Sequence, residues 1–279
     1  DKSFFEEKVG ENGVVVTTAQ ELRDAITAGK ETICVYGAID LGDISQTGGL
    51  TLQENQKLVG VGYFGNYDTD TDKFVSITAT DTVSNGRMID SNTGGCVISE
   101  LTLNYSNTIA DGNTYTIYWY NAEKDDQLQA TIRNMDIVTQ FSEVGTTSNA
   151  KATISVTNKG KLNIEGSMNL NVKGRYGWGI FINNTEASIQ KSSKVNIRVN
   201  GYAGYAISLY NGASMDVHDN AEINVQNEGQ DSNGIHVLDS IFNLTTKASL
   251  RITSRGTYGY GIHVRQQGAI NVLGNVYID

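Results

Sequence analysis

The 279-residue sequence predicts an all-β chain wound as a right-handed parallel β-helix, three short strands per coil, with a short N-terminal capping helix. Three observations carry this reading. First, Ile154, Ile180, Ile207, Ile235 and Ile262 recur at intervals of 26, 27, 28 and 27 residues, and each opens a short run: TISV, GIFI, AISL, GIHV and GIHV. Second, two further runs of strict apolar–polar alternation follow each of these, and alternation at period two marks a strand with one buried face. The second runs are Leu162 to Ile164, Ala187 to Ile189, Met215 to Val217, Phe242 to Leu244 and Ile270 to Val272; the third end at Val172, Val199, Val225, Ile252 and Ile278. Third, 30 glycines stand against no proline, so corners have residues that tolerate positive φ and every strand amide can join a ladder.

One such unit cannot bury its apolar face alone, but stacked units place like residues above like and build a continuous core. The right hand follows from the crossover preference of parallel strands. No unit carries the i, i+3, i+4 spacing of a helical solenoid, and propeller blades are longer, at about 40 residues with four antiparallel strands. The single repeat period makes 1–279 one elongated domain, divided into a lead-in strand and cap (1–30), irregular coils with loops (31–150) and regular coils (151–279).

In chain order, residues 1–13 are charged and without periodicity, and read as a frayed lead-in. Val14 to Thr17 is a strand. Thr18-Ala-Gln-Glu21 is a capping box that opens an amphipathic helix through Leu22, Ala25 and Ile26, placed to cover the open end of the core. Loops follow at Asn66 to Lys73, Asn107 to Asn113, Ala122 to Gln127 and Gln140 to Ala150. Cys34 and Cys96 read as unpaired thiols, with Cys96 on the apolar phase of its strand.

Several segments resemble the N-terminal rungs of the pectate lyase-like (pectin lyase-like) β-helix superfamily. They are Glu21-Leu-Arg-Asp-Ala-Ile26, Ile33 to Ile39, Leu50 to Gly62 and the CVISELTL run from Cys96 to Leu103. The resemblance implies the right-handed β-helix, and it points to the non-catalytic adhesin branch of the superfamily. Its lyases use calcium held by acidic residues with an arginine or lysine base, and its hydrolases carry NTD, DD and GHG elements. None of these signatures stands in the sequence.

A formal net charge of −10 disfavours nucleic acid and anionic membrane as partners. With no secretory leader and no apolar span, the chain reads as a mature or excised segment that continues into further domains of a larger surface protein. Asp68, Asp70 and Asp72 alternate as calcium ligands would, but Lys73 and Ala79 stand where an EF-hand needs glycine and glutamate, so a solvated loop is expected and no cofactor. Asp125-Asp126 is a lone acidic pair. His236 and His263 should stack about 4.8 Å apart on the outer face, one ligand short of a fixed metal geometry.

The strongest feature off the core is aromatic. GRYGWG, GYAGYA and GTYGYG place Tyr176, Tyr202 and Tyr258, and also Trp178, Tyr205 and Tyr260, at matching corners, with Arg175 beside them. Tyr118, Trp119 and Tyr120 add three consecutive rings, of which at least one must face outward. Rings stack equally well on one another or on the apolar faces of pyranoses. The expected function is an extracellular bacterial adhesin segment that binds a glycan or host-surface protein along one side. The alternatives are a polysaccharide lyase or glycoside hydrolase using Asp68, Asp70, Asp72, Lys173 and Arg175, and a bare stalk.

Overall fold

The computed structural model describes residues 1–65, 74–120, 127–146 and 150–279. Among them 24 strands form a 16-stranded and an eight-stranded sheet, and every strand pairing is parallel. Parallel pairing without intervening helices requires the chain to circle back once per strand set, so the architecture is a parallel β-helix with three faces.

The repeat isoleucines stack in register, Ile154 on Ile180, Ile207, Ile235 and Ile262, in the eight-stranded sheet. The 16-stranded sheet makes the other two faces. As far as the first regular coil these are joined by long bent strands, Val97–Asn107, Gln129–Gln140 and Lys161–Lys173. The bend is a stack of left-handed residues, Glu100, Asn134 and Gly166. From there on the bend opens into a turn, and Glu186–Ile189 and Lys194–Val199 pair separately with the two halves of the Lys161–Lys173 strand.

The third-run register differs from the sequence reading. Val172 stacks on Val199, but Val199 stacks on Asn227, and Val225 belongs with Leu170, Ile197, Ile252 and Ile278. The coil holding this step is 28 residues long, so counting apolar residues back from its end misplaces the column by one side-chain pair. Asn227 is consequently sealed in the core, and neither of its side-chain amide atoms has a hydrogen-bond partner among the described residues. A buried unmet amide costs about 1–3 kcal/mol. Asn227→Val is therefore expected to stabilise the chain by about 1–2 kcal/mol, read as a higher urea midpoint at unchanged m-value.

Helix α2 (Ala19–Thr27) forms as expected, with the Thr18 hydroxyl accepting from the Glu21 N–H at 3.2 Å. Its Leu22, Ala25 and Ile26 close the end of the core. The lead-in is not frayed: Lys2–Lys8 is a second helix, α1, capped by Asp1. Phe5 and Val9 at this helix cover an outward apolar patch of Val15, Cys34 and Val59, which explains why Cys34 alternates out of phase and is still buried. Both cysteines are free and buried, and burial pushes the Cys34 thiol up to about 12.

The irregular coils are closed by polar contacts. The Tyr105 hydroxyl donates to buried Asp81 at 2.7 Å, and buried Lys151 donates to the carbonyl of Ala110 at 2.7 Å, with its pKa lowered by burial. Glycines Gly174, Gly201, Gly229 and Gly256 form a column at one corner. A Cβ on each of the last three would overlap the carbonyl oxygen of the glycine one coil earlier. No helix among the described residues is long and apolar enough to cross a membrane.

Candidate binding face

Outward positions of the eight-stranded sheet stack into three rows along the coil axis. The first runs Tyr115, Ala152, Trp178, Tyr205, Asn233, Tyr260. The second runs Tyr118, Ser155, Phe181, Ser208, His236, His263, and the third runs Tyr120, Thr157, Asn183, Tyr210, Leu238, Arg265. Ala152, Ser155 and Ser208 are small residues among the rings, which meet both within a row and across neighbouring rows. Trp178 meets Phe181 at 4.8 Å and Tyr205 at 4.9 Å between centroids, Phe181 meets Tyr210 at 5.6 Å, and Tyr260 meets His263 at 4.6 Å. These separations fall in the range of favourable aromatic pairs. At the other end Tyr115 stacks on Tyr118 at 4.7 Å, and the Arg87 guanidinium, held by Asp90, sits 4.1 Å above the Tyr118 ring.

The strip crosses six strands, about 24 Å at the usual strand spacing. Its middle is sealed, with Trp178 only 7 % exposed, while its ends are open, with Tyr120 at 38 % and Tyr260 at 56 %. This differs from the corner ladder of exposed rings expected from the flanking glycines. Trp178, Tyr205 and Tyr260 lie within strands, and the glycines are there to let coils approach, not to bare the rings.

Of the three consecutive aromatics, Tyr118 and Tyr120 face outward as alternation requires. Trp119 faces inward, buried in the main core with its indole N–H donating to the Thr93 carbonyl at 2.7 Å, so it is not a surface residue. Tyr176, Tyr202 and Tyr258 are not equivalent positions either. The left-handed corner is occupied in turn by Tyr176, Ala203, Asp231 and Tyr258, which places Tyr202 one residue earlier, over Arg175. There the Arg175 guanidinium lies 4.6 Å from the Tyr202 ring and 5.6 Å from Tyr176, and Asp231 raises the Tyr202 pKa. Tyr258 is 82 % exposed.

His236 and His263 do stack, with ring centroids 5.4 Å apart. His236 is fully covered: Tyr205 lies 4.9 Å away and nearly parallel, its Nδ1 is 3.1 Å from the Ser208 hydroxyl, and its Nε2 has no partner among the described residues. Burial, and then His263 and Arg265, lower its pKa to about 4. Among the described residues no group of three or more His, Cys, Asp or Glu is placed to hold a metal. Asp68, Asp70, Asp72 and the Asp125-Asp126 pair lie outside the described residues.

No protein-family model matches the sequence, nor does any curated protein. Among solved structures the chain is similar to tailspike protein 3 of bacteriophage CBA120, at 11 % identity over 92 % of this chain, with a TM-score of 0.23. The match spans 56 % of that tailspike's length.

Phe181 and Tyr210 complete the strip and were not singled out from sequence. Their signal was present: once the isoleucines are aligned, Phe181 falls one position after and Tyr210 three positions after, both on the outward phase.

Proposed function

We propose that this chain is a non-catalytic, carbohydrate-binding β-helix of an extracellular bacterial adhesin, and that the aromatic strip of the eight-stranded sheet is its glycan-binding face. The observation that carries this is the strip itself, a row of rings on the outside of a coil whose core is already complete within. Partly open rings at Tyr205, Tyr210 and Tyr260 offer flat apolar surfaces for sugar rings, and Arg265 and Asn183 stand in the third row to bond hydroxyls. Of the residues considered for a lyase, Arg175 packs on tyrosines at the corner rather than facing a carboxylate set.

The test is retention on immobilised neutral and acidic polysaccharides. The double variant Tyr205→Ala, Tyr260→Ala is expected to bind roughly five- to hundredfold more weakly, since each lost ring stack is worth roughly 0.5–1.5 kcal/mol. Tyr258→Ala, exposed but outside the strip, should bind as the native chain does. Unchanged retention of the double variant would remove the strip as the binding face. Shortened or unsaturated products after incubation with the same panel would overturn the non-catalytic reading.

A further inference from the structure

We infer that the third face carries a second saccharide site, an amide-lined cleft that recognises a neutral, hydroxyl-rich chain by hydrogen bonding rather than by ring stacking. The strands MNLNV (168–172), VNIRV (195–199) and INVQ (223–226) send apolar residues inward and polar side chains outward. Parallel register then stacks Asn169, Asn196 and Asn224 in one column, and Asn171, Arg198 and Gln226 in the next. Together with Asp136 they line a cleft of about 350 Å³.

The first column is already ordered. Asn224 Nδ2 donates to Asn196 Oδ1 at 3.1 Å, and Asn196 Nδ2 donates to Asn169 Oδ1 at 2.9 Å. An amide group has two N–H donors and an oxygen with two lone pairs, so Asn196, bonded on both sides, retains one of each. Those remaining groups are held in fixed orientation and repeat at the strand spacing of about 4.8 Å along the axis. A ligand therefore meets preorganised groups and orders few side chains on binding.

In the second column Asn171 Oδ1 is shielded from water and has no donor among the described residues. Arg198 is held by both carboxylate oxygens of Glu228, at 2.9 and 3.2 Å, so its charge is already answered. Asp136 is the cleft's one carboxylate. That composition selects against an anionic ligand, and it lacks the carboxyl pair that glycoside hydrolysis requires. Vicinal hydroxyls, each donor and acceptor at once, match an amide that offers one of each. An extended neutral oligosaccharide lying along the axis satisfies successive coils with successive residues.

This site stands on a different sheet from the aromatic strip and does not depend on it. The test titrates isotope-labelled chain carrying Tyr205→Ala and Tyr260→Ala with cellohexaose and with maltohexaose, following the side-chain NH₂ resonances of Asn169, Asn196 and Asn224. Saturable shifts are expected with at least one of the two sugars. Asn196→Ala with Asn224→Ala should weaken that binding tenfold or more, and so should Gln226→Trp, which fills the cleft from an outward strand position and leaves the amide column intact. The absence of saturable shifts, binding unchanged by both cleft variants, or stronger binding of an extended poly-glutamine peptide than of either sugar would overturn the site. Loss of binding through the cleft variants alone, with the strip variants neutral, would sustain this site and remove the aromatic one.

Discussion

Gly201→Ala is expected to destabilise the chain by about 3 kcal/mol or more, the largest effect of any single methyl group on the regular coils. Most overpacking is relieved by a rotamer shift, but here the new Cβ overlaps the backbone carbonyl of Gly174, and Gly229 stands in the same relation to Gly201. Relief requires separating two coils at the corner, which lengthens the ladder bonds on both sides. At the usual entropy of unfolding for a chain of this size the midpoint should fall by roughly 5 °C or more. Gly212→Ala is the control. Its φ is positive, at 76°, where that of Gly201 is not, but its Cβ would meet nothing within 4 Å, so it carries only a conformational cost of about 1 kcal/mol. Equal losses for the two variants would show that the glycine column is not set by coil-to-coil approach.

Acidification is expected to loosen the aromatic face through His236. The folded chain holds this imidazole neutral, with its pKa lowered from 6.5 to about 4 by burial, then by His263 and Arg265. Above about pH 6.5 both folded and unfolded chains leave it neutral and it contributes no pH dependence. Between about pH 6.5 and pH 4 the unfolded chain takes up a proton that the folded chain refuses, so stability falls as pH falls. The full shift corresponds to an upper bound of about 3 kcal/mol, and solvent reaching the partly open ends of the strip brings it nearer 2 kcal/mol. Tyr205 and Tyr210 also face the ring, but their pKa values are raised above the ordinary range and they do not titrate in this window. Carboxylates elsewhere lose stability at low pH too, so the informative quantity is a difference. His236→Phe, which places in that row the residue type already found at Phe181, should flatten the fall in melting midpoint between pH 7 and pH 4.5. An identical fall in both proteins would clear His236 of the effect.

The regular coils were legible because their signal is local and repeated. The isoleucine column and the second-run columns could be written down residue by residue, and the structure has them in that register. The capping box at Thr18 was equally readable, since it lies within four consecutive residues. Helix α1 was not. Its Phe5 packs against Tyr36 and Phe64, residues far along the chain, and the seven residues KSFFEEK show no period that announces such a partner. The third-run register failed for a different reason: apolar matching prefers Val225 over Val199, and only the hydrogen-bonded ladder places Asn227 there.

The candidate site divides along the same line. By itself the sequence determined the coil, its repeat and the presence of a non-core aromatic series, because period-two alternation and a constant repeat are consequences of backbone geometry that every rung must obey. Only the tertiary structure decided which rings share a surface. It turned Trp119 inward, moved Tyr202 out of the Tyr176 column, and joined Phe181, Tyr210 and His236 to Trp178, Tyr205 and Tyr260. Those outcomes rest on contacts between residues one or two coils apart, where a one-residue change in corner length moves a side chain to the opposite side of the sheet.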